Sequence, residues 1–72
     1  MKNIFEVEAG ENIYNFVLRI KNILRQSNYT HAEVSFNEID LTIYNDSNVS
    51  DIITIYNLKH SLRQTMKDYR YR

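Results

Sequence analysis

His31–Asn45, HAEVSFNEIDLTIYN, decides the fold. Apolar and polar residues alternate on either side of Asn37-Glu38, the mark of two short strands joined by a two-residue turn. Such a turn pairs Phe36 with Ile39, Val34 with Leu41 and Ala32 with Ile43, and all six then face one side. The opposite side pairs Ser35 with Asp40, Glu33 with Thr42 and His31 with Tyr44. A slip of one residue would turn the whole apolar set to solvent, so the pattern selects its own register. Only Glu38 fits poorly, because a primed turn prefers Gly there.

Downstream, Ser47–Tyr69 reads SNVSDIITIYNLKHSLRQTMKDY, with no Gly or Pro to interrupt it. One helix is expected, with Ser47 as its N-cap and Asp46 and Asp51 beside the positive end of its dipole. Val49, Ile52, Ile53 and Tyr56 make an apolar stripe suited to packing on a sheet. The stripe then drifts into Ile52, Ile55, Lys59, Leu62, Met66 and Tyr69, a heptad seam with Lys59 as its polar break. About 22 helical residues span roughly 33 Å, whereas a short strand covers only about 17–20 Å. The last turns should therefore overhang the domain, and Ile55, Leu62, Met66 and Tyr69 are the candidate self-association residues of a homodimer.

Upstream, Glu11–Gln26 is an amphipathic helix with Ile13, Phe16, Val17, Ile20, Ile23 and Leu24 on one face, and with Asn28 able to take a left-handed stop. Lys2–Glu8, KNIFEVE, alternates as a strand, with Phe5 and Val7 on one face. Gly10, the only glycine, falls between them and suits a turn. The expected order is β-α-β-β-α: an α+β two-layer sandwich with a three-stranded sheet, two helices on its one apolar face, and a long C-terminal helix.

The chain has 72 residues, enough for one α+β domain with a modest core, and no Cys to staple it. No apolar run is long enough for a membrane span and no secretory signal precedes the first strand, so a soluble cytoplasmic protein is expected. The net charge of zero hides an asymmetry. Residues 1–58 carry four basic against eight acidic side chains, a net −4, and residues 59–72 carry five against one, a net +4. An acidic body with a basic helical tail follows.

Three surfaces are candidate sites. The outer sheet face would hold Glu6, Glu8, Glu33 and Asp40, with Glu38 at its rim, and could serve solubility or dock a basic protein groove. Lys59, Arg63, Lys67, Arg70 and Arg72 form a basic stripe. It could complement the helix dipole and solvate the terminus, contact nucleic acid, or meet an acidic partner. Tyr69 and Tyr71, between Arg70 and Arg72, could stack on bases or anchor an interface. The apolar seam is the third. Catalysis has no visible machinery: His31 and His60 are the only histidines, and no nucleophile sits beside a base. No cofactor, metal or small-molecule substrate is expected.

At the hairpin–helix junction, FNEIDLTIYNDSNVSDIITIYNLK, the chain resembles small proteins of phages and mobile elements of Gram-positive bacteria. Phe36, Asn37, Ile39, Ser47 and Tyr56 match that pattern, and Glu38 departs from it where Gly would stand. The resemblance spans about a third of the chain. It implies a protein-binding role, extending in some such proteins to inhibition of a host nuclease or defence complex in the bacterial cytoplasm.

Overall fold

The hairpin forms in the expected register. β1 (His31–Phe36) and β2 (Ile39–Tyr44) pair antiparallel, with Phe36 opposite Ile39, Val34 opposite Leu41 and Ala32 opposite Ile43. Asn37 and Glu38 take φ of 51° and 65°, the left-handed pair of a type I′ turn. Those values match the twist of the flanking strands, so the turn accepts Glu at a site better suited to Gly. The computed structural model describes residues 6–70, with side chains as far as Met66.

α1 spans Ile13–Gln26, two residues shorter at its start than expected. Asn12 caps it, its side chain accepting from the Asn15 amide at 2.8 Å. Its end is a Schellman motif. Asn28 adopts φ 57°, the Tyr29 amide donates to the Leu24 carbonyl, and the Asn28 amide donates to the Arg25 carbonyl. α2 spans Val49–Arg70 and is capped by Asn48, not by Ser47: the Asn48 side chain accepts from the Ser50 amide at 2.8 Å. The Ser47 carbonyl instead accepts from the ammonium of Lys21, whose stem is buried under the start of α2.

The first strand is a correction. Glu6, Val7 and Glu8 form no strand, and residues 2–5, including Phe5, lie outside the described residues. Local bonds have claimed the backbone that a ladder would need. Arg19 donates to the Glu6 carbonyl at 2.7 Å, and the Glu11 amide donates to the Glu8 carbonyl at 3.0 Å. The Glu8 amide in turn donates to the Glu11 carboxylate. Val7 is 39% exposed and adds little to the core. The order among the described residues is therefore α-β-β-α, with a two-stranded sheet in place of three.

Both helices cover the one apolar face of the hairpin. Phe36 joins them, its ring 5.0 Å from Phe16 of α1 and 5.4 Å, edge-on, from Tyr56 of α2. Two strands leave two edges, and α2 lies by β2. The principal extents are 48 × 24 × 21 Å, the long dimension exceeding the roughly 20 Å of a six-residue strand.

Candidate protein-binding surface

α2 has two faces with different fates. The inner face begins with Ile52 and Tyr56, both buried. Beyond Tyr56 it fastens to the hairpin by polar bonds. The Tyr56 hydroxyl accepts from the Asn37 side chain at 3.1 Å, and Lys59 donates to the Asp40 carbonyl at 2.7 Å. Arg63 donates to the Glu38 carbonyl at 3.0 Å and pairs with the Glu38 carboxylate. Asp40 belongs to the pair next to the one that closes the turn, so its carbonyl points out of the ladder. Lys59 covers that edge carbonyl. The helix is thus held along β2 as far as the turn, and the segment after Arg63 continues past it.

This anchoring changes the meaning of the basic stripe. Lys59 and Arg63 each donate to a hairpin carbonyl, so a phosphate contact by either would compete with that bond. Lys67 and Arg70 occupy the last turns of α2, but their side chains, with that of Tyr69, lie outside the described residues, as do Tyr71 and Arg72 altogether.

The acidic residues do not share one face. Glu33 and Asp40 are exposed on the outer side of the hairpin, diagonal to one another across the strands. Glu38 sits in the turn and faces Arg63. Glu6 and Glu8 precede α1 and belong to no strand. Beside them Glu11 accepts two bonds from the Arg19 guanidinium, at 2.8 and 2.9 Å, and these hold its carboxyl below the usual carboxylate range. Among the named acids, only Glu33 and Asp40 form the expected outer sheet surface.

An apolar line runs along one flank of α2. Ile55, Leu58, Leu62 and Met66 are 44%, 61%, 65% and 69% exposed. Their spacing sets them in one line, roughly 100° around the helix from Ile52 and Tyr56. Leu58 was not among the expected seam residues; Lys59 was placed there as a polar break. The structure turns Lys59 toward β2 and puts Leu58 in the line, so the seam is unbroken from Ile55 to Met66. A step of three from Ile55, in place of four, would have found it.

The two histidines lie in separate contacts. His31 is bonded to Thr30 at 3.0 Å and packs beside Tyr44, whereas His60 stacks on Tyr56. Among the described residues no group of three or more His, Asp or Glu could hold a metal ion, and no helix is long and apolar enough to cross a membrane. Comparison with protein-family models, curated proteins and solved structures gave no match, so the resemblance at residues 36–59 gains no support from them.

Proposed function

We propose that the chain is a small protein-binding module, without catalysis of its own, whose contact surface is the apolar flank of α2. The observation that carries this reading is the unbroken line Ile55–Leu58–Leu62–Met66, exposed on a helix already fastened on its inner face. A contiguous apolar line differs from scattered surface leucines, because burying it against one partner releases water from all four side chains at once. Each would contribute on the order of 1–2 kcal/mol when covered. Fastening also fixes the backbone before binding, which lowers the ordering cost of association. A host nuclease or defence complex as the target rests on the resemblance at residues 36–59 alone.

The test is a tagged pull-down from bacterial lysate, with and without nuclease, comparing the native chain with Leu62→Asp and Met66→Asp. Both substituted positions are well exposed, so the fold should survive, which circular dichroism checks. Proteins retained by the native chain and lost with either variant support the reading. Proteins retained equally by all three chains, or only nucleic acid removed by nuclease, overturn it.

A further inference from the structure

We infer that the apolar flank of α2 is covered by a second copy of this chain, with the two α2 helices packed antiparallel. This rests on the binding face proposed above and names its occupant. The first argument is register. Leu58 and Leu62 lie equally far on either side of His60, and Ile55 and Met66 nearly so. A two-fold axis passing beside that point sets Leu58 of each copy against Leu62 of the other, and Ile55 against Met66. The seam is therefore complementary to itself when reversed, as an isologous interface requires.

The second argument is charge. The start of α2 carries Asp51, with Asp46 just before it, and no base before Lys59. Its last turns carry Lys67 and Arg70 against Asp68. Asp51 lies one helical turn before Ile55, on the same line. Parallel packing would oppose Asp51 to its own copy; antiparallel packing parts the two carboxylates to opposite ends of the seam. Antiparallel helices also bring opposite dipole ends together. Charge and register thus choose the same orientation, and a partner of another sequence would have to match both.

The test uses the purified chain alone. Sedimentation equilibrium should give a concentration-dependent dimer, weakened on the order of 100-fold by Leu62→Asp, which would bury two carboxylates near the axis. Because the native chain has no Cys, single cysteines report orientation. Mixed Leu58→Cys and Leu62→Cys chains should cross-link to each other faster than either does to itself. Preferential self-linking of each single variant would indicate parallel packing and overturn the inference. A monomer at several hundred micromolar would overturn it too. If that monomer still retained lysate proteins in a Leu62-dependent way, the binding face would stand and only its occupant would change. If retention were also independent of Leu62, both readings would fall.

Discussion

Replacing Glu38 with Gly should stabilise the protein although it deletes an ion pair. Glu38 has φ 65°, a left-handed value that costs a residue with a side chain roughly 1–2 kcal/mol. Gly removes that cost but adds about 0.4–1 kcal/mol of unfolded-chain entropy, leaving a gain near 0.8 kcal/mol. Against this stands the pair with Arg63. The Glu38 side chain is 79% exposed, so the pair is worth only about 0.2–0.5 kcal/mol. The bond from Arg63 to the Glu38 carbonyl survives, because it uses the backbone. The expected net is a gain of roughly 0.3–0.6 kcal/mol, or about 1–5 °C in Tm for a domain of this size.

Glu38→Ala separates the two effects. It loses the same pair and keeps the left-handed strain, so it should fall about 0.2–0.5 kcal/mol below the native chain. The Gly–Ala difference, close to 1 kcal/mol, then isolates the backbone cost. Urea unfolding followed by circular dichroism measures both variants, with unchanged m-values confirming the same unfolding reaction. Equal stability of the Gly and Ala chains would refute the reasoning, because the turn would then carry no strain for Gly to relieve.

Glu11→Gln tests the bond that lowers the Glu11 pKa. Because the carboxyl titrates lower folded than unfolded, its stabilisation is complete above the ordinary carboxylate range and is lost as pH falls through the depressed value. The variant should therefore show a shallower fall of urea midpoint on acidification, and an identical fall would refute the assignment. Tyr56→Phe removes the acceptor for the Asn37 side chain and should cost about 0.5–1.5 kcal/mol in the same assay. Lys21→Met keeps most of the buried stem but strips the Ser47 carbonyl of its donor, and should cost about 1–3 kcal/mol. Calorimetry would register that as a clear fall in Tm.

The hairpin was legible because period-two alternation and a two-residue turn admit one register that buries Ala32, Val34, Phe36, Ile39, Leu41 and Ile43 together. α1 was legible for the matching reason at helical period, and Asn28 for its tolerance of a left-handed stop. KNIFEVE shows the limit of the same argument. Alternation states that a segment could pair, but pairing also needs its carbonyls and amides to be free. Arg19, thirteen residues beyond Glu6, and the turn between Glu8 and Glu11 took those groups instead. Side chains that bond to distant backbone leave no periodic mark. Ser47 failed as a cap for a smaller reason: Asn48 is one residue closer to the first turn and accepts equally well.

The structure separates the candidate surfaces by whether their residues have work within the fold. Lys59 and Arg63 share a stripe with Lys67 and Arg70 by spacing, and spacing alone suggests one basic surface. A helix lying along a two-stranded sheet must also manage the exposed edge of β2 and the carbonyls of its turn. Lys59 and Arg63 are the side chains with the reach to do so, and their bonds to the Asp40 and Glu38 carbonyls give them a fastening role. No such demand falls on Ile55, Leu58, Leu62 and Met66, whose exposed carbon adds nothing to the described fold. Fastening and exposure are thus one arrangement. With its cations turned toward the hairpin, α2 carries an uninterrupted hydrocarbon line on its flank, the surface whose burial would release the most water.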